Sequence, residues 1–261
     1  LGNAPQLMEQ AALGQNVIFY TEAGSLSTAG VRDLAVLGGP FLIDDAAQGE
    51  RLTRSTLFKE WTERLAERGS LRILSLNWFD SPRSMLAKGR AFRTPADMAG
   101  VKMRVPQAPT FMRTFELLKT LPVALPFSEV YLGLQQGVVD GLEGGVRGMM
   151  DANLYEVADT VTLTNHFTLF LGWAMSETQY QRLPPACRMV LTEAFQTGGR
   201  AYSAAMDDIT REAMATLRAR GIKFVEADIS AYRSATERFY SLFPEWSPGL
   251  LSRVRQAMGG R

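Results

Sequence analysis

VKMRVP, Val101 to Pro106, is the stretch on which the reading of the fold turns. Val101, Met103 and Val105 fall on one face of an extended segment, Lys102 and Arg104 fall on the other, and Pro106 ends it. TPADMAG leads into this strand as a short helix, with Thr94 as N-cap, Pro95 as first helical residue, Asp97 in the first turn and Gly100 just past the end. A helix over about 110–119 leaves it and gives way to a short strand, VALP. A strand set between helices in this way is the unit of a layered α/β sheet.

The same alternation extends outward. A helix over about 5–14 precedes the strand NVIFYTE. ERLTRSTLFKEWTERLAERG reads as one helix, with Leu57, Trp61 and Leu65 four apart and Gly69 closing it. The strand LRILSLNWF follows. Further on, Ser128 caps a helix that stops near Gly137, VVDG reads as a buried strand entering a turn, and FTLFLGWAM reads as a central strand. Residues 184–220 carry a single helical pattern, interrupted only by Gly198 and Gly199 and longer than a usual globular helix. The strand IKFVEA and two helices close the chain. The expectation is an α/β protein of mostly parallel strands covered on both faces.

Composition narrows the chemistry. The 261 residues are 46% hydrophobic, enough for one large domain or two modest ones. Lysine and arginine total 28 against 27 aspartates and glutamates, so no basic footprint for nucleic acid exists. Cys187 and His166 are each the only residue of their kind, which leaves no intrachain disulfide and no cysteine zinc site. No GxSxG, P-loop, HExxH or GxGxxG motif is present, which lowers the expectation of an enzyme, and neither a metal nor a cofactor is expected.

Parallel sheets bury their strands, so Arg104 is not expected to point into bulk water. It stands near the C-terminal end of its strand, where open α/β sheets take ligands. The other reading is a structural arginine paired with a buried carboxylate of the protein itself.

Three longer pieces, RTPADMAGVKMRVPQAPT, PFSEVYLGLQQGVVDGLE and LYEVADTVTLTNHF, resemble in wording, order and spacing the DctP-type substrate-binding proteins of TRAP (tripartite ATP-independent periplasmic) transporters. The opening LGNAPQLMEQ and the closing elements are similar too. The resemblance implies a two-lobed periplasmic binding protein fold, with a ligand cleft between α/β lobes and the long helix bracing both. It places residues 1–81 and 170–209 in one lobe and 82–169 and 210–261 in the other. It implies a monomeric, non-enzymatic periplasmic receptor, exported by a signal peptide upstream of Leu1, that hands an organic acid to the transporter's membrane subunits. A sensor module of the same fold is the alternative. An enzyme using Glu22 and Glu143 as acid and base lacks a nucleophile or metal motif beside them.

By the same resemblance, Arg104 grips the ligand carboxylate, a match of planar fork to planar acid. Arg83 in FDSPRSM is a second cleft arginine, with a solvated loop arginine as the alternative. Glu22 in YTEAG contacts polar ligand groups or caps a helix. Phe127 in PFSEVY packs on the ligand, Trp78 floors the pocket, and Asn3 and Gln107 stand near contacting positions. Trp173 reads as core and His166 as a structural hydrogen bonder.

Two departures stand out. The family's D-G-x-E-N-P pattern reads DGLEGGV here, so Gly144 replaces an asparagine that reaches the ligand and leaves extra room. Glu143 then turns into the site or stays out of it, since a carboxylate facing an acid needs a cation between them. The chain also begins partway into the family pattern, without its first strand, first helix and second strand, which belong to the first lobe and its cleft wall.

Overall fold

A computed structural model describes residues 2–260. In chain order, the first part comprises α1 (Ala4–Ala12), β1 (Ile18–Glu22), α2 (Ala23–Ser27), α3 (Ala46–Thr53), α4 (Thr56–Gly69) and β2 (Leu71–Phe79). The middle comprises β3 (Ser84–Ala87), β4 (Lys102–Val105), α5 (Pro109–Leu117), β5 (Leu121–Ala124), α6 (Val130–Gln135), β6 (Gly141–Gly144), α7 (Val146–Asp151) and β7 (Thr160–Leu163). The chain returns through β8 (Phe170–Ser176), α8 (Glu177–Arg182), α9 (Pro185–Ala219), β9 (Lys223–Glu226), α10 (Ile229–Thr236) and α11 (Leu250–Ala257).

The strands form two sheets, one ordered β1-β8-β2 and one ordered β5-β4-β6-β3-β7-β9. The chain passes between them at residues 80–83, after β2, and returns at 164–169, before β8. These two connectors run in opposite directions and are stitched by Arg83 N donating to Phe167 O at 2.8 Å. This crossing explains a departure from the expected mostly parallel arrangement. The smaller sheet is wholly antiparallel, because β2 leaves the lobe and β8 enters it alongside. In the larger sheet β3 is antiparallel to β6 and β7, while β4 runs parallel to β5 and β6, and β7 to β9.

The long helical pattern is one helix of 35 residues, α9, about 50 Å at 1.5 Å per residue. Gly198 and Gly199 do not interrupt it. They let β2 come close: a Cβ on Gly199 would lie 2.2 Å from Asn77 Oδ1, and one on Gly198 3.1 Å from the Trp78 ring. Asn77 Nδ2 donates to Gln196 O at 2.9 Å, and Ser203 Oγ donates to Asn77 O at 3.0 Å, so the first half of the helix is fastened to β2. Farther along, Ala213 and Leu217 are buried in the core beneath the larger sheet with Leu142 and Val161. One helix therefore spans both lobes.

Other expectations shift locally. The single helix read over 50–69 divides in two, because Ser55 Oγ accepts from Phe58 N at 3.2 Å and starts α4 afresh. Gly69 is the last residue of α4, and Ser70 takes the left-handed turn with φ 55°. Gly69 is needed instead for close approach, since a Cβ there would lie 2.4 Å from Ala29 O. The strand read at VVDG begins later, at Gly141, and Val138 is exposed.

The lobe boundaries need one correction. Residues after about 236 were expected in the second lobe, yet Phe239, Phe243, Trp246, Leu250, Val254 and Met258 join the first core with Leu34, Leu37 and Trp61. Phe243 and Trp246 stack at 4.2 Å. The apolar stripe of α11 finds its partner there, and Ser247 N donates to Asp33 Oδ1 at 2.9 Å to hold the crossing.

Candidate functional site

The seam between the lobes gathers an unusual number of buried ionisable groups. Arg83 lies on the outgoing connector, Glu143 near the end of β6, and His166 on the returning connector. Arg83 Nε meets Glu143 Oε2 at 2.5 Å and Nη2 meets Oε1 at 2.8 Å, a two-point ion pair with the carboxylate wholly buried. Burial alone would push the Glu143 carboxyl up, but the Arg83 charge and hydrogen bonds prevail and hold it down at about 2. His166 Nδ1 bonds to Thr164 Oγ1 at 2.7 Å, and its Nε2 stands 3.7 Å from Glu143 Oε2. Burial lowers the imidazole below its usual value, which keeps it neutral at neutral pH.

Arg104 is different. It is 4% exposed, on the third position of β4, and its Nε donates to Leu125 O at 2.8 Å. Among the described residues no carboxylate forms an ion pair with it, and its two Nη atoms donate no hydrogen bond. Burial pushes its pKa down to about 10; nearby Glu143 opposes this and Arg83 adds to it. It remains charged at neutral pH. Its guanidinium lies over the Phe127 ring at 5.6 Å, and that ring is 47% exposed. The arrangement fixes the planar fork at the edge of the cleft with its Nη donors unused.

Glu22 ends β1, with Ser25 Oγ donating to its Oε1 at 3.3 Å. Burial raises its carboxyl, and Arg83 partly offsets that. Tyr20 lies on the same face of β1, packed edge-to-face on Trp173 at 5.5 Å. Burial raises its hydroxyl too, with the fields of Tyr202, Asp80 and Glu22 adding. Tyr202 on α9 is pushed up to about 12 by burial, with Asp80 adding. Glu22, Tyr20, Asp80, Arg83 and Tyr202 thus feel one another electrostatically across the end of β1, the connector and α9.

The structure thus brings Arg104, Phe127, Arg83, Glu143, Gly144 and Glu22 to one region. Arg83 is not a solvated loop arginine, and Arg104 is not the partner of an internal carboxylate. Glu143, weighed as a residue turned into the site, is spent on Arg83. Trp78 packs under Gly198 and Gly199 and donates from Nε1 to Ser75 Oγ at 2.8 Å, which makes it a strut of α9. Asn3 is committed to capping α1, where it accepts from Gln6 N at 3.1 Å. Gln107 is exposed in the turn after β4. Sequence reasoning missed Asp80, Ser81, Tyr20 and Tyr202. The first two stand three and two residues before Arg83, so the connector itself was the signal.

A separate hollow of about 260 Å³ runs along β2 between α4 and α9. Its arginines, Arg54, Arg72 and Arg200, are already matched by Glu50, Glu63 and Glu177, which leaves Lys59 as the one lining cation without an ion pair among the described residues.

Comparison with known proteins agrees with the fold. Residues 1–245 match the family model of bacterial extracellular solute-binding proteins, family 7. The sialic acid-binding periplasmic protein SiaP of Vibrio cholerae is 26% identical over 243 residues, covering 93% of this chain and 75% of that protein. A solute-binding protein of Verminephrobacter eiseniae is 26% identical, over 87% of this chain and 67% of its own length. An uncharacterised Sinorhizobium fredii relative is 28% identical, over 90% of this chain but 43% of its own length. Among solved structures, a TRAP periplasmic solute-binding protein of Ochrobacterium anthropi with bound L-fuconate superposes with a TM-score of 0.93 at 28% identity, over 98% of this chain and 84% of that one. A Fusobacterium protein of the same kind with bound sn-glycerol-3-phosphate gives 0.92 at 29% identity, over 99% and 83%. The two-lobed fold, the brace of α9 and the match over residues 1–245 together show that the chain belongs to the family 7 extracellular solute-binding proteins.

Proposed function

We propose that this chain binds an organic acid through its carboxylate, in the periplasm, and delivers it to the membrane subunits of a TRAP transporter. The observation that carries this reading is Arg104, a buried guanidinium with both Nη atoms unused and, among the described residues, no carboxylate paired to it. A buried charge without a partner is costly, so such a group is retained where a partner comes from outside. The fork offers two parallel charge-assisted bonds to a carboxylate, which fix its orientation as well as its charge. Phe127 covers the guanidinium and offers an exposed ring face to the body of the ligand.

Relatives support the chemical class. One is named for sialic acid and one structural neighbour holds L-fuconate, both carboxylic acids. Another holds a phosphate ester, so the fold also serves a different anion. Closure of two lobes about a seam is a familiar way for such receptors to hold a small solute.

Thermal-shift measurements against organic acids, with neutral analogues beside them, test the reading. A ligand of the folded state raises the melting temperature by mass action. The expected outcome is stabilisation by acids alone, absent in Arg104→Ala. Stabilisation that survives in Arg104→Ala would remove Arg104 from the site.

A further inference from the structure

The second end of the cleft carries its own chemistry. Asp80 lies on the outgoing connector and has no cation bound to its carboxylate among the described residues; its Oδ1 accepts only from Ser81 N, at 2.8 Å. Ser81 is 4% exposed, and its Oγ has no hydrogen-bond partner. Both groups look onto the backbone of Gly145: the vacant Cβ position there lies 3.2 Å from Asp80 Oδ2 and 3.5 Å from Ser81 Oγ. The vacant Cβ position of Gly144 lies 3.9 Å from Arg83 Nη2 and 3.7 Å from Met149 Cε, which is ordinary contact distance. Gly144 has no left-handed backbone to require glycine, and its lack of a side chain leaves Arg83 Nη2 uncovered on that side. Arg83 gives Nε and Nη2 to Glu143, and its Nη1 donates to no protein acceptor among the described residues.

We propose that Asp80 and Ser81, with Arg83 Nη1 and beside the side-chain-free backbone of Gly144 and Gly145, form a second subsite that takes a hydroxyl-bearing end of the ligand. This rests on the reading of Arg104 as the carboxylate clamp and makes the ligand a hydroxylated monocarboxylate. The subsite offers an acceptor in Asp80, a group of either sense in Ser81 and a donor in Arg83. A hydroxyl both donates and accepts, and so satisfies all three. An ammonium only donates, would leave Nη1 unmatched and would meet the Arg83 charge. A second carboxylate or a phosphate would face Asp80 with the one nearby cation already bound to Glu143. Asp80 therefore acts against dianions, a repulsive element of specificity.

The test compares three probes of equal carbon count: gluconate, hexanoate and glucarate. Binding to the full chain is measured by calorimetry and thermal shift, for the parent, Asp80→Asn, Ser81→Ala and Arg104→Ala, with ligand-free melts to confirm folding. In the parent, gluconate should bind at least tenfold more tightly than either other probe. Asp80→Asn should weaken gluconate at least tenfold and move the glucarate-to-gluconate ratio at least tenfold toward the dianion. Ser81→Ala should weaken gluconate severalfold while leaving hexanoate unchanged. If hexanoate or glucarate binds the parent as tightly as gluconate, or if a folded Asp80→Asn keeps every affinity within twofold, the subsite is overturned while the Arg104 clamp stands. If none of the probes binds the parent, the subsite as described is also overturned. If acids bind equally well to Arg104→Ala, the clamp itself falls.

Discussion

Arg83 and Glu143 hold one another through two contacts, 2.5 Å and 2.8 Å, across the seam where the chain leaves the first lobe. The pair joins a connector to the end of β6 and leaves the carboxylate with no exposure at all. Removing one partner leaves the other charge stranded. Arg83→Ala or Glu143→Ala should therefore cost about 3–5 kcal/mol of stability, whereas Arg83→Met combined with Glu143→Leu should recover much of it. Denaturant melts of Arg83→Met, Glu143→Leu and the variant carrying both measure the coupling. A coupling near zero would mean that the pair contributes nothing to holding the seam.

Acid should loosen the same seam in two steps. Glu143 titrates at about 2 when folded, below its ordinary 4.5, so its contribution is complete above 4.5 and fades as pH falls toward 2. His166 is held below its ordinary 6.5, so folding favours the neutral ring. Its contribution is complete above 6.5 and fades as pH falls below that value. Glu22 and Asp80 are raised by burial and act in the opposite sense, losing stability as pH rises above their ordinary values. The clean readout is a difference: His166→Gln should flatten the fall in melting temperature that begins below 6.5. An unchanged slope would show that His166 does not titrate on unfolding.

Ligand capture should depend on the shape of the Arg104 head group as well as its charge. Arg104→Ala should weaken acid binding by about 2–5 kcal/mol, and Arg104→Lys should fall between the two because a point charge cannot give the paired bonds. Isothermal calorimetry on the parent and both variants would rank them. Equal affinity for Arg104→Lys and the parent would argue against a two-point contact.

Close approach of β2 and β8 sets a purely steric prediction. A Cβ on Gly172 would fall 1.9 Å from Ser75 O, inside the irregular pairing of these strands. Gly172→Ala must push the strands apart and should cost at least the ~1–3 kcal/mol typical of overpacking. A melting temperature within a degree of the parent would show that the bulge absorbs the methyl group.

Much of this architecture was legible in the sequence because local rules and tertiary packing agree there. VKMRVP alternates, and becomes β4 with Met103, Arg104 and Val105 buried. The helical pattern over 184–220, read as interrupted at Gly198 and Gly199, becomes the single helix α9. What the sequence hid depends on contacts between distant segments. Periodicity cannot tell that Gly198 and Gly199 serve Asn77 and Trp78 rather than end a helix. It cannot tell that β2 and β8 would run side by side in opposite senses, because that follows from the chain crossing between lobes twice. At the site, the burial of Arg104 could be read from its strand. The neutralisation of Arg83 by Glu143 could not, because 60 residues separate them.

The position of the connectors sets which contacts a hinge would disturb. If the lobes turn about residues 80–83 and 164–169, displacement grows with radius from that axis. Arg83, Glu143 and His166 sit at the hub, where their mutual geometry is nearly preserved through a swing. Arg104 rides on β4, two strand spacings from β3 and so about 10 Å farther out along the sheet. Arg104 on the rim then travels farther than the ion pair at the hub, which serves as a bearing, and the length of that arm sets how far the gap between the lobes narrows for a given angle of turn.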